Sequence, residues 1–259
     1  MNLANHVAHW ARRTPTAVAL RFEGKGVTYA TLDRCANALA GALIANGIKR
    51  GDRVALFLPN IPAFALAYLA TLRAGAIAVS INAIFKSEEV KYILDDSGAA
   101  VVFTTAELLT HVPRSECPTI KHVVLCEGVI AGETPLEDWL DAGQPIDAAF
   151  DMAPDDPAAL LYSSGTTGFP KGVTLTHRNI QSNIRVTAEC SDIRATDRLA
   201  IFLPLFHVFA QNYIMNGGFE VGATIVLMRR FVPDVVLDAI ERERITMLVF
   251  GPDLSSKNG

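Results

Sequence analysis

Cysteine, tryptophan, charge and long apolar runs are all scarce in this chain. Of its 259 residues four are cysteine and two tryptophan, and only 19% are charged. Cys35, Cys117, Cys126 and Cys190 form no C-x-x-C pair and have no histidine at zinc spacing, which excludes a disulfide framework and a zinc ribbon. They read as buried or free thiols of a reducing compartment. With 23 Lys+Arg against 27 Asp+Glu, the net charge of −4 comes with no basic stripe to offset phosphate repulsion, which argues against nucleic acid as a partner. Met1 to Arg13 lacks a basic segment followed by an apolar run, so no secretory signal is read there. The most apolar window, Val54 to Leu72, is broken by Pro59, Asn60 and Pro62, whereas a membrane span needs ~20 apolar residues in one helix. The expectation is a cytoplasmic protein without a transmembrane segment; peripheral membrane contact and oligomeric state are left open.

Hydrophobic residues make up half of the chain, enough to build a large core. Short apolar runs alternate with helical stretches. Ala17–Phe22, Val54–Leu58, Ala76–Ser80 and Ala100–Thr104 read as strands, and Tyr29–Asn46, Ala63–Ala74 and a segment opening at Ser87 read as helices. Thr28 is placed to cap the first of these and Gly47 to end it. From Glu127 to Pro157 the pattern lapses, with Leu136 and Trp139 the only strong anchors. It then resumes with strands at Ala158–Tyr162, Val173–Thr176, Leu199–Leu203, Ala223–Met228 and Thr246–Phe250. His6 and His9, and the run Glu241 to Arg244, read as solvated helix faces. Near-continuous apolar strands in β–α–β order imply an α/β fold with mainly parallel sheets covered by helices. The expected division is a first α/β subdomain over 1–145, a linker over 146–157, a second subdomain over 158–250, and a tail over 251–259.

One segment carries chemistry: Tyr162-Ser-Ser-Gly-Thr-Thr-Gly-Phe-Pro-Lys-Gly172. Ser163, Ser164, Gly165, Thr166, Thr167 and Gly168 follow an apolar strand directly. Together they offer closely spaced N–H groups, hydroxyls, and glycines that admit a ligand to the main chain. Lys171 adds a positive charge three residues on. This suits a polyphosphate, although it is not a Walker A loop, because Pro170 precedes the lysine and Gly172 follows it. The residues alone fit either a phosphate cradle or an ordinary hairpin loop.

The whole string, continuing through Val173-Thr-Leu-Thr-His-Arg-Asn179, resembles the phosphate-binding signature of the adenylate-forming (AMP-binding) superfamily. That superfamily includes acyl-CoA synthetases, aryl-CoA ligases, firefly luciferase and the adenylation domains of peptide synthetases. Leu203-Pro-Leu-Phe-His-Val-Phe-Ala210 resembles its next motif, whose histidine lies beside the acyl-adenylate pocket. Thr28-Tyr29, Gly51-Asp52-Arg53-Val54, Pro59-Asn60 and Met228-Arg-Arg-Phe231 are also similar to acyl-CoA ligases, so the likeness runs to about Phe250.

The resemblance implies two stacked, mainly parallel sheet subdomains, as in the large N-terminal domain of these enzymes, and a two-step reaction. A small-molecule carboxylic acid attacks ATP to give an acyl-adenylate, and CoA then displaces AMP. It implies that residues 163–168 hold the β- and γ-phosphates and that Lys171 neutralises the leaving pyrophosphate. His207 serves the acyl site, Arg230 contacts CoA, and Ser163 assists Mg²⁺. Asp155 and Asp156 precede the strand that the loop follows, about 15–20 Å away, and are discounted as Mg²⁺ ligands. Family members are about twice this length, and the later motifs that supply the ribose aspartate, the magnesium glutamate and the C-terminal catalytic lysine are absent. The expectation is therefore an N-terminal half, inactive alone, of a medium- or long-chain fatty acyl-CoA ligase. The rival readings are an aryl-acid ligase, a non-catalytic nucleotide-binding remnant, and a flavodoxin-like interaction module. A peptide-synthetase adenylation domain is disfavoured, since Phe206, Val208 and Phe209 surround His207 with apolar groups instead of an acid.

Overall fold

The computed structural model describes residues 1–163 and 170–249. In chain order the elements are α1 (Asn5–Arg13), β1 (Val18–Phe22), β2 (Lys25–Thr28), α2 (Tyr29–Ala45), β3 (Arg53–Leu56), α3 (Pro62–Arg73), β4 (Ile77–Ser80) and α4 (Ser87–Ser97). Next come β5 (Val101–Thr104), β6 (His122–Leu125), β7 (Thr134–Pro135), α5 (Leu136–Ala142), β8 (Pro157–Ser163), β9 (Lys171–Thr176), α6 (His177–Cys190) and β10 (Arg198–Ile201). A π-helix (Phe209–Asn216), α7 (Gly217–Val221), β11 (Thr224–Leu227) and α8 (Pro233–Arg242) follow.

Local chemistry sets the element ends. The Thr28 hydroxyl accepts from Thr31 N at 3.2 Å to start α2. Pro62, whose missing N–H costs nothing in a first turn, starts α3. Thr176 and Asn179 cap α6 reciprocally, each side chain accepting from the other's backbone N–H at 3.1 Å. Gly98, at φ +61°, closes α4 in the left-handed region.

Among the described residues there are two sheets, a four-stranded one ordered β10-β11-β1-β2 and a seven-stranded one ordered β7-β6-β5-β3-β4-β8-β9. All pairings are parallel except two hairpins, β1–β2 and β8–β9. Alternate residues of β3 and of β10, with the residue that follows each, enter different cores. Val54 and Leu56 join the central cluster while Ala55 and Phe57 face Val90, Ile93 and Leu94 of α4. Likewise Leu199 and Ile201 face the centre, and Ala200 and Phe202 pack with Val236 and Ala239 of α8. Helices α2 and α3 supply the middle layer. From Phe64 to Arg73 of α3 only Leu66 is not fully buried, as expected of a helix apolar all round. Tyr29 ties α2 to the smaller sheet by donating to Ala223 O at 2.7 Å.

The sheets do not follow the chain in consecutive halves. β1 and β2 pair into the sheet of β10 and β11, and β8 and β9 extend the sheet of β3 to β7. The 146–157 stretch therefore does not divide the sheets, and it is held down rather than free. Ile146 N donates to Asn37 O at 3.3 Å and Phe150 N to Arg73 O at 2.9 Å. The lapse after Glu127 conceals β7 and α5, which are too short for periodicity to reveal. The expected Thr246–Phe250 strand is reduced among the described residues to one parallel bridge, Leu199 with Met247. His6 is not simply solvated: its Nε2 lies 2.7 Å from Gln181 Oε1 and 2.8 Å from Glu220 Oε2. Glu243 is buried and ion-paired with Arg21, so the run from Glu241 is not a uniformly exposed end. The four cysteines are free, and no helix is long and apolar enough to cross a membrane among the described residues.

Candidate active site

The β8–β9 hairpin presents one face with three cross-strand pairs, Ala159 with Leu175, Leu161 with Val173, and Ser163 with Lys171. In an antiparallel pair, directly opposed residues share a face, and so do residues two apart. Ser163 and Lys171 therefore stand side by side at the end of the hairpin where the two strands are joined, both exposed. Lys171 has no ion pair or hydrogen bond among the described residues. Ser164, Gly165, Thr166, Thr167 and Gly168 lie outside the described residues. Tyr162, on the opposite face, donates its hydroxyl to Asp96 Oδ2 at 2.6 Å. Burial first, and then the Asp96 carboxylate, raise the phenol well above its ordinary range.

The segment between β10 and the π-helix crosses in front of this face. Leu161, Tyr162, Ser163, Val173 and Leu175 share a cavity of about 200 Å³ with Phe206, His207 and Val208. His207 is exposed, and its Nδ1 accepts from Phe209 N at 3.2 Å, which leaves the proton on Nε2 as an outward donor. A neighbouring cavity of about 440 Å³ is lined by Leu175, Ile180, Val208, Phe209, Asn212 and Tyr213. Phe209 and Tyr213 stack, with centroids 4.9 Å apart and planes 16° apart, and the Tyr213 hydroxyl is 2.6 Å from Ser191 Oγ.

Arg230 lies elsewhere. It lines a cavity of about 670 Å³ with Leu58, Asn60, Asn82, Thr105, Glu127 and Phe231, residues that follow the C-terminal ends of parallel strands. That end of a parallel sheet is where open α/β folds take ligands. Arg229 is already committed. It grips Glu127 through both terminal nitrogens, reaches Glu23 through Nε at 2.7 Å, and lies over the Phe22 ring. These bonds hold the Glu127 carboxyl below its ordinary range and raise the guanidinium above its own. Arg230 has no such partner among the described residues and is the free cation of this cavity. Phe206 walls both this cavity and the one that holds His207.

Ser163 and His207 thus line one cavity, with Lys171 the strand partner of Ser163, while Arg230 sits across the Phe206 wall from them. Sequence reading missed Glu127, whose strand-end position was hidden in the lapsed pattern, and Gln211, a polar residue in an apolar helix that is fully buried. Among the described residues no group of three His, Cys, Asp or Glu side chains converges as a metal site. Mg²⁺ takes oxygen ligands, usually carboxylates together with phosphates. Near the hairpin tip the described residues supply one hydroxyl, that of Ser163, while Asp155 and Asp156 are engaged by Arg178 and Arg50. This donor set does not fit the ion by itself, and no step is derived through it.

Residues 7–256 match the family model described as AMP-binding enzyme. 4-Coumarate–CoA ligase 3 of Oryza sativa subsp. japonica is 34% identical over 235 residues, covering 89% of this chain and 42% of that protein. Long-chain-fatty-acid–CoA ligase FadD13 of Mycobacterium tuberculosis is 34% identical over 219 residues, covering 85% of this chain and 43% of its own length. The crystal structure of the anthranilate CoA ligase AuaEII in complex with anthranoyl-AMP superposes with a TM-score of 0.91 at 27% identity, covering 96% of this chain and 49% of that one. This chain thus spans about half the length of the proteins it matches.

Proposed function

The chain belongs to the AMP-binding enzyme family, and from that membership we propose that it forms the triphosphate- and acyl-binding half of an ATP-dependent acid–CoA ligase. The observation that carries this reading is the cavity shared by Ser163 and His207, with Lys171 opposite Ser163 on the same face of the β8–β9 hairpin. A carboxylate is already a nucleophile at neutral pH, so adenylation needs alignment and charge dispersal rather than a general base. One carboxylate oxygen bonds to the α-phosphorus as the bond to the β-phosphate oxygen breaks and pyrophosphate leaves. Lys171, uncommitted to any other group among the described residues, offsets the charge that builds on that leaving group. Ser163 and the residues 164–168 donate to its oxygens. Losing one preorganised donor of this kind costs on the order of 3 kcal/mol of barrier. The His207 Nε2–H donates toward the carboxyl or adenylate oxygen. In the second step the CoA sulfur bonds to the acyl carbon, the bond to AMP breaks, and the thiol proton is lost. Arg230, beyond the Phe206 wall, offers a cation to CoA phosphates.

A medium- or long-chain fatty acid suits the apolar surroundings of His207. One specific observation favours an aryl acid instead. The stacked Phe209 and Tyr213 rings, with the phenol held by Ser191, give the adjoining cavity a rigid aromatic wall suited to a planar acid. Equilibrium dialysis of the 259-residue chain against ATP, and then against 4-coumarate, benzoate or dodecanoate in its presence, tests both levels. Retention of ATP that depends on Lys171 supports the ligase reading, and no retention overturns it. The acid that binds decides between the classes.

A further inference from the structure

Asn60 reaches from one sheet into the other. It follows β3 of the larger sheet, is 4% exposed, and directs its amide at the segments that leave β10 and β11 of the smaller one. Its Nδ2 donates to Leu203 O at 2.9 Å and to Met228 O at 3.2 Å, and its Oδ1 accepts from Leu205 N at 2.8 Å. Two carbonyls around the nitrogen and one N–H at the oxygen fix the orientation of the amide unambiguously. From the other side the fully buried Gln211 donates through Nε2 to Leu205 O at 3.2 Å and to Ser80 Oγ at 2.7 Å. Leu205 lies outside any helix or strand, so its peptide groups lack a ladder partner. Both are satisfied by side chains of other elements, two residues before His207.

From Leu205 the chain turns at once. His207 N donates to Pro204 O at 3.0 Å, Gln211 N to His207 O at 3.1 Å, and Phe209 N to the imidazole Nδ1. A shift at Leu205 therefore passes directly into the bond that selects the imidazole tautomer. We propose that Asn60, with Gln211 as its counterpart, is a positioning residue for His207. Its amide fixes the Leu203–Leu205 backbone, so that Nδ1 stays an acceptor and Nε2–H is presented to the cavity of Ser163. The catalytic meaning of that donor rests on the ligase reading; the geometric linkage does not.

The test is nitrogen NMR of the His207 imidazole together with amide exchange at Leu205, in the 259-residue chain and in Asn60→Ala. Loss of the buried bonds should speed Leu205 exchange about tenfold and convert the single Nε2–H tautomer into a mixture. Asn2→Ala is the control, because Asn2 is an equally buried amide bonded to Leu72 O and Phe150 O, and it should leave the His207 signal unchanged. Asn60→Asp, which keeps the acceptor and loses both donors, and Gln211→Met carry the same comparison where Asn60→Ala does not fold. An unaltered His207 tautomer in folded Asn60 variants overturns the proposal, and so does unprotected Leu205 N–H in the unmodified chain. ATP retention is read separately. Its absence would defeat the ligase reading while leaving the tautomer comparison intact.

Discussion

Ser163 and Lys171 are register partners at the joined end of the β8–β9 hairpin, one a hydroxyl and the other an ammonium with no partner among the described residues. The pair is held by strand geometry and not by contact with each other, so either side chain can be changed without disturbing the fold.

Lys171→Ala should accordingly leave thermal unfolding where it is, as exposed substitutions away from special features do. It should weaken ATP retention at least tenfold, the size of one charged hydrogen bond. Lys171→Arg should recover part of that affinity. Equilibrium dialysis alongside a thermal melt separates the two effects.

Gly41 sits in the middle of α2, where alanine would ordinarily add about 1 kcal/mol of helix stability. Here a Cβ would lie 1.8 Å from the carbonyl oxygen of Gln144. The obstacle is backbone, which cannot rotate away, so the steric term wins. Gly41→Ala should destabilise by about 2 kcal/mol and should loosen the 143–150 segment first, as read by urea unfolding and amide exchange at Ile146.

His177 is fully buried at the start of α6, with Nδ1 accepting from Leu3 N at 3.4 Å and Nε2 unpartnered. Burial lowers its folded pKa to about 4, against 6.5 for a free imidazole. Between those values the unfolded chain binds a proton that the folded chain refuses, so stability falls as pH drops from 6.5 to 4, by about 3 kcal/mol in total. This contribution is flat above pH 7. Urea midpoints at pH 7.5, 5.5 and 4.5 should show the slope, and His177→Asn should flatten it.

Arg73 is the largest fully buried side chain, and it reaches Asp33 Oδ1 at 2.6 Å together with the carbonyls of Asp33 and Ala4. Asp33→Ala leaves a buried guanidinium without its countercharge and should cost about 3 kcal/mol. Arg73→Met should cost less, because the Asp33 carboxylate still touches water at 22% exposure. Chemical denaturation of the two variants should rank them in that order.

Periodicity and punctuation in the sequence reveal the long elements well. Thr28, Pro62 and Thr176 mark helix starts because capping is local chemistry, and alternating apolar runs mark the buried strands. The Ser/Thr/Gly string and Lys171 stand out for the same reason, as small polar residues beside a cation, a local pattern that suits a phosphate. Sheet membership was hidden, because nothing local in Val18–Phe22 says that its neighbour is Thr224–Leu227. Asn60, Gln211 and Glu127 were equally silent. Each side chain acts on a partner about one hundred to one hundred and seventy residues away, apart from the Leu205 carbonyl that Gln211 also holds, and a single polar residue carries no pattern.

The interleaving of the two sheets sets an order of assembly. Leu20 pairs with Ile225, across nearly the whole described chain. At ribosomal rates the inner edge of β1 waits about 10–40 s for its neighbour, with only the β2 hairpin beside it. Any chain that stalls or is clipped before Thr224 leaves that edge bare, a ready template for wrong pairing. Quality control of this chain therefore hinges on β1 meeting β11.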